Sequence, residues 1–197
     1  MHATPHGQTA QHAVPHPAQA LYSQLMEAAV DLPNSHILAC LLTSQALGNG
    51  VMPPGLGLTP AAYQSLLHYY FPKATLPVAA HTGQHDAARQ PEIDDLRTLL
   101  LAHRADDAVE REWMADILVA GCLGNDHLWQ DLGLWTRSDL TALIRHNFPT
   151  LAARNDRDMK WKKFFYKQLC LAEGVYVCRA PSCEVCVDYQ HCFGAED

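Results

Sequence analysis

Apolar residues recur at helical spacing from Leu21 onward. Leu21, Leu25 and the Ala28-Ala29 pair share one helical face, as do Ile37, Leu41 and Leu42 before a stop at Gly48-Asn49-Gly50. The same grammar then returns. Leu47-Gly48-Asn49-Gly50 and Leu56-Gly57-Leu58 match Leu123-Gly124-Asn125-Asp126 and Leu132-Gly133-Leu134 at an offset of 76 residues. One inserted residue, Trp135, moves the offset to 77, after which Thr59, Tyr63, Leu66, Leu67, Phe71 and Pro72 match Thr136, Leu140, Leu143, Ile144, Phe148 and Pro149. Thr59 followed by Pro60, and Thr136 with Asp139 three residues on, are helix-start signals. Gly48 and Gly124 are expected to end helices in the left-handed conformation. Two copies of such a unit predict two related helical halves packed face to face.

The stretches around these halves carry different signals. Residues 1–20 are mostly Ala, His, Pro and Gln, with little to bury, and predict a disordered tail. Its His2, His6, His12 and His16 read as compositional bias rather than a metal site. Residues 72–92 hold three prolines and little periodicity, which predicts a linker, and His81 and His85 within it read as surface residues. A last helix is expected from Asn155, with Asp158 three residues later as its capping partner, to Gly174. Met159, Trp161, Phe164, Phe165 and Leu169 give it broad apolar cover. No strand is convincing. The expected fold is all-α: a disordered tail over 1–20, a helical body over 21–175 and a cysteine-rich segment over 176–197.

Composition narrows the class. Hydrophobic residues make up 48% of the 197, ample for a packed core. The first twenty residues lack the charged and apolar regions of a signal peptide, and no apolar run is long enough to span a bilayer, so a cytoplasmic protein without membrane partners is expected. A net charge of −7 argues against nucleic acid as a partner. Lys160, Lys162, Lys163 and Lys167 nevertheless cluster before the C-terminal segment. They read as a solvated helix face, or more sharply as cations that neutralise an anionic centre or attract an acidic partner.

The chemistry concentrates at the C-terminus. Cys178, Cys183, Cys186 and Cys192 form a C-x4-C-x2-C-x5-C run whose first and last thiols are only 14 positions apart. Four soft thiolates on so short a stretch select zinc, copper(I) or an iron–sulfur cluster. Zinc sites of four cysteines usually pair two C-x2-C knuckles, whereas this run has one, which favours iron–sulfur and leaves zinc and a disulfide knot as alternatives. The disulfide option suffers from the odd total of seven cysteines, the others being Cys40, Cys122 and Cys170. No nucleophile elbow, phosphate-binding loop or H-E-x-x-H motif supports an enzyme.

Four pieces of the chain carry a family resemblance. They are Cys122-Leu-Gly-Asn-Asp-His-Leu-Trp-Gln-Asp-Leu-Gly-Leu134, Phe148-Pro149, the Lys-Trp-Lys-Lys-Phe-Phe-Tyr stretch between Met159 and Cys170, and the cysteine run as far as Gly194. Together they resemble the NifQ family of nitrogen-fixation proteins, closely over about residues 105–197 and loosely over 21–72. The resemblance implies a metallochaperone, not an enzyme. Such a protein carries molybdenum in a molybdenum–iron–sulfur species and passes it to the assembly of the nitrogenase iron–molybdenum cofactor. NifEN and NifH are the recipients it implies, and Cys178, Cys183, Cys186 and Cys192 the cluster ligands. His191, His127 and His146 are candidates for further molybdenum ligands. Each reads more readily as structural or solvent-facing, with His191 the best placed beside Cys192. Asp126 and Asp131 are expected to cap and solvate the turn around His127, and Cys170 to be a buried helix-end thiol. An iron–sulfur electron-transfer or redox-sensing protein and a zinc-stabilised interaction module are the competing readings.

Overall fold

The computed structural model describes residues 17–75, 87–172 and 174, and among the described residues every regular element is helical, with no strand. The first run comprises α1 (Pro17–Ala28), α2 (Ser35–Ala46), a 3-10 turn (Pro54–Gly57) and α3 (Pro60–Tyr70). The second comprises α4 (Gln90–Ala102), α5 (Val109–Cys122), α6 (Leu128–Leu132) and α7 (Arg137–Asn147). Then follow α8 (Pro149–Ala153) and α9 (Trp161–Ala172), the latter packed on α4. Among the described residues no helix is long and apolar enough to cross a membrane.

The repeated sequence signals fold into repeated geometry. Phe71 and Phe148 are both buried and share one backbone conformation, φ −133°, ψ 55° and φ −135°, ψ 58°. Thr59 caps α3 by accepting from the Ala62 amide at 3.2 Å. Thr136 and Asp139 form a reciprocal capping box at the start of α7, 3.1 Å in each direction. In each run the loop after the first helix is tied back to the end of the last one. The Val30 amide donates to the Tyr70 carbonyl at 2.8 Å, and the Ala105 amide to the Asn147 carbonyl at 2.9 Å.

The two runs cross-pack, α2 against α7 and α5 against α3. At their centre Asn34 and Asn147 exchange two side-chain hydrogen bonds of 3.0 Å, and Arg111 donates to Asn147 Oδ1 at 2.7 Å and to Asp106 at 3.1 Å. Asn34, Asn147 and Arg111 are buried, so satisfying one another is what makes the seam tolerable, and it also fixes its register. The glycine turns meet as well. The Val51 amide donates to the Asp131 carbonyl at 2.8 Å, and a Cβ on Gly50 (φ 80°) would fall 2.8 Å from that same oxygen. Only glycine fits there.

Four expectations need correction. Helix α1 begins at Pro17, inside the stretch expected to be disordered, because proline is pre-organised for a first helical turn and Ala18 and Ala20 continue it. Helix α4 begins at Gln90, inside the expected linker, with Pro91 in its first turn. Helix α9 begins at Trp161 rather than near Asn155. The Asn155 side chain instead bridges both backbone groups of Met159 at 2.8 Å, and Asp158, at φ 53°, is held by Arg137. Gly48 does end α2 at φ 73°, but Gly124 is not left-handed. Close approach of a side chain, rather than backbone conformation, demands glycine at that position.

Candidate functional site

Cys178, Cys183, Cys186 and Cys192 lie outside the described residues, as do His191, His81, His85 and the four tail histidines. What the structure describes is the helix that leads into the cysteine run and the seat that holds it. Gly174, at φ 67°, stands four residues before Cys178.

Helix α9 is seated on apolar and polar contacts together. Trp161, Phe164, Phe165 and Tyr166 are buried, with the Trp161 ring edge-on to Phe164 at 5.8 Å. Each such side chain contributes about 1.5–3 kcal/mol of burial. Two polar side chains, one helical turn apart, add to this seat, Lys162 on the turn between α5 and α6 and Tyr166 on α4. Lys162 Nζ donates to the Gly124 carbonyl at 3.0 Å, to the Asp126 carbonyl at 2.8 Å and to the Asp131 carboxylate. The three donors of the ammonium are thereby all used.

Asp131 is 1% exposed, and the oxygen that faces Lys162 also accepts from the Asp126 amide at 3.1 Å. Its other oxygen, Oδ1, has no hydrogen-bond partner and lies where a Cβ on Gly124 would be 2.4 Å away. Gly124 is therefore required for close approach: the turn wraps a buried carboxylate. Asp131 caps the turn at the Asp126 amide as expected, but it is a buried counter-ion to Lys162 rather than a solvating group.

Tyr166, one turn further along, donates to Glu92 of α4. Glu92 also receives a two-pronged Arg89 fork, 2.8 Å on each prong, and Arg89 donates a third hydrogen bond to the Leu123 carbonyl at 2.8 Å. Burial alone would raise the Glu92 carboxyl, but the Arg89 fork and the Tyr166 hydroxyl outweigh it and hold the group below its ordinary value. Burial raises the Tyr166 phenol, and the Glu92 carboxylate it donates to adds to this, so it stays a donor.

Three thiols can be placed. Cys40, Cys122 and Cys170 are buried and reduced. Burial pushes Cys122 up to about 12, and burial with the nearby Asp139 charge does the same for Cys40. Both remain protonated and unreactive at neutral pH. Cys170 occupies the buried helix-end position expected of it. His127 is half-buried at the start of α6, where its carbonyl accepts from the Gln130 and Asp131 amides at 2.9 Å. His146 lies 3.4 Å from an Arg111 nitrogen, and burial with that guanidinium lowers its pKa, so the ring is neutral. The described residues contain no group of three or more His, Cys, Asp or Glu able to hold a metal ion. His127, His146 and Cys170 are not brought together into one.

The lysine cluster also changes meaning. Lys160 is only 8% exposed and Lys162 is locked into the seat, so these two are neither a solvated face nor a docking surface. Lys167 is exposed and Lys163 half-buried, and both make further interactions. Sequence reasoning missed Arg89, Glu92 and Tyr166. The available signal was Pro91 followed by Glu92, a first-turn proline and acid that mark a helix start inside a proline-rich stretch.

The Lys162 anchor joins the two most distinctive stretches of the sequence, the Gly-Asn-Asp-His turn and the Lys-Trp-Lys-Lys-Phe-Phe-Tyr helix. Comparison with known proteins matches the same stretches. The NifQ family model matches residues 37–194. The chain belongs to the NifQ family. It is 45% identical over 177 residues to Protein NifQ of Azotobacter vinelandii, covering 84% of this chain and 91% of that one. It is 40% identical over 168 residues to a Protein NifQ homolog of Sinorhizobium fredii, covering 82% and 72%. With Protein NifQ of Klebsiella pneumoniae it shares 36% identity over 154 residues, 74% of this chain and 90% of the relative. No solved structure gives a significant match. The NifQ match begins at Ile37, inside α2, so it leaves out α1 and takes in the rest of the first run and all of the second, and it ends two residues beyond Cys192.

Proposed function

We propose that this chain is a molybdenum carrier of nitrogen fixation. It binds molybdenum within an iron–sulfur species on Cys178, Cys183, Cys186 and Cys192 and donates it, in the cytoplasm, to the NifEN and NifH machinery that builds the nitrogenase iron–molybdenum cofactor. The observation that carries this reading is the C-x4-C-x2-C-x5-C run lying wholly inside the NifQ match. Molybdate is a hard oxyanion, whereas a cofactor precursor needs molybdenum among sulfurs, and closely spaced thiolates supply soft ligands. Three thiolates suffice for the iron corners of a cubane whose fourth corner is molybdenum, and the fourth cysteine is then available to hold or release the cargo.

The body supports that division of labour. Cys40 and Cys122 are buried and held protonated, so they do not compete for a soft metal. The helix that leads into the cysteine run is anchored from within by Lys162 and Tyr166, independently of any metal. No catalytic constellation is needed for such a role, and the chain acts as donor rather than enzyme.

The test is metal and acid-labile sulfide analysis of anaerobically purified protein. Molybdenum together with iron and sulfide is expected. Iron and sulfide alone would favour electron transfer or redox sensing, and zinc alone an interaction module; either result overturns the carrier reading.

A further inference from the structure

A groove of about 810 Å3 opens between α7, α8 and the 155–158 loop. Its polar lining is Arg137, Ser138, Thr141 and Arg145 of α7, faced by Asn155, Asp156 and Asp158. Arg137, Thr141 and Arg145 are spaced four residues apart and so lie along one face of the helix. Arg137 grips the Asp158 carboxylate with a two-pronged fork, 2.8 Å on each prong. Arg145 acts on that same carboxylate as a second cation, and Arg137 and Arg145 together hold it below its ordinary pKa.

Three features mark this arrangement as an anion position occupied by the chain itself. Asp158 sits at φ 53°, a conformation that non-glycine residues adopt sparingly and that clusters at functional positions. Its side chain is 65% exposed, so the pair is exchangeable rather than locked. Thr141 Oγ1 accepts from the Trp161 indole at 3.1 Å, which leaves its own proton to donate elsewhere. A guanidinium fork, a second arginine and hydroxyl donors are the groups that recognise a tetrahedral oxyanion.

We propose that this groove binds a tetrahedral dianion that displaces the Asp158 carboxylate from Arg137. Resting on the molybdenum reading above, the anion is molybdate, held as the oxyanion by side chains other than the cysteines. With Asp158 in place the two arginines are offset by two aspartates, and once it withdraws a dianion meets both guanidinium groups.

The experiment titrates sodium molybdate, at neutral pH and low salt, into the full-length protein by calorimetry, with sulfate as competitor. Binding is expected at one site per chain, weakened about tenfold in Arg145→Gln, the worth of one charge-assisted hydrogen bond. It is expected to tighten at least about threefold in Asp158→Asn, where asparagine keeps the backbone conformation and releases the fork. Asp158→Asn breaks the Arg137–Asp158 pair, but a gain of affinity cannot come from unfolding, and Arg145 is exposed and outside that pair, so its variant leaves the pair in place. Unchanged binding in both variants, or no binding in any protein, overturns the site. If the groove takes sulfate with this variant pattern while purified protein contains no molybdenum, the groove stands and the carrier reading fails. Molybdenum on the cysteines with binding indifferent to Arg145 and Asp158 gives the opposite result.

Discussion

Lys162→Met isolates the polar seat of α9. Methionine keeps much of the stem volume and removes the ammonium. Asp131 would then retain a carboxylate that is 1% exposed and is faced only by the Asp126 amide, while the Gly124 and Asp126 carbonyls lose their donor. Removing one partner of a buried ion pair costs about 3–5 kcal/mol. The Lys162 side chain is 13% exposed, so water reaches the vacated end and the lower figure of about 3 kcal/mol applies. For a chain of 197 residues that corresponds to a fall of about 6–12 °C in Tm. The assay is urea unfolding of metal-free protein followed by circular dichroism, with Asp131→Asn and the double variant completing a cycle. The asparagine introduced by Asp131→Asn can still accept from the Asp126 amide, so the double variant should lose less than the sum of the singles, with a coupling of at least about 1 kcal/mol. A loss under about 0.5 kcal/mol in Lys162→Met, with no coupling, would refute the internal pair and return Lys162 to the surface.

In a Cys183→Ser/Cys186→Ser variant the brown absorbance of anaerobically purified protein should disappear, whereas Cys40→Ser should keep it; full cluster content in the double variant would sink the ligand assignment. Gly124→Ala places a Cβ 2.4 Å from the Asp131 carboxylate and should cost about 1–3 kcal/mol or more in urea unfolding, with Asp131 displaced. Gly48→Ala meets no atom within 4 Å and should cost only the left-handed backbone penalty of about 1–2 kcal/mol; equal costs measured with Asp131 unmoved would contradict the close-approach account. Cys40 and Cys122 should resist a thiol reagent in the folded protein at pH 8 and react once it is unfolded. Because their folded pKa values are raised, the stability they confer is complete below the ordinary value near 9 and is lost as pH climbs towards about 12, which unfolding midpoints between those limits would detect.

Local grammar was legible in the sequence, and long-range pairing was not. The Gly-Asn stops, the Thr caps and the two Phe-Pro breaks are short-range signals, so the end of α2 and the matching helices α3 and α7 followed from them, whereas α4 did not. The start of α9 shows how local grammar can mislead. Asn155 and Asp158 have the spacing of a capping pair, yet Asn155 closes a loop onto Met159 and Asp158 answers to Arg137, 21 residues earlier, so the helix waits until Trp161. The lysines fail for the same reason. Lysine is almost never buried without a partner, and the partner of Lys162 lies 31 residues away in sequence. Nothing within the Lys-Trp-Lys-Lys stretch distinguishes it from Lys163.

That long-range pairing bears on how a donor would work. A carrier whose cysteines also held its fold together would lose structure each time it gave up its metal, and release would then be opposed by the free energy of folding. Here the helix before the cysteine run is fixed by contacts within the described body: aromatic side chains in the core, one ammonium in a cage of three oxygens, and one phenol on a carboxylate fork. The three thiols described within the body are buried, and burial holds Cys40 and Cys122 protonated. Loading and unloading at Cys178, Cys183, Cys186 and Cys192 are therefore expected to leave the helical body unchanged. Circular dichroism of metal-free and metal-loaded protein should show the same helix content. A body that melts on chelation would mean that the cluster builds the fold, and that the interior anchors of α9 are too weak to hold it alone.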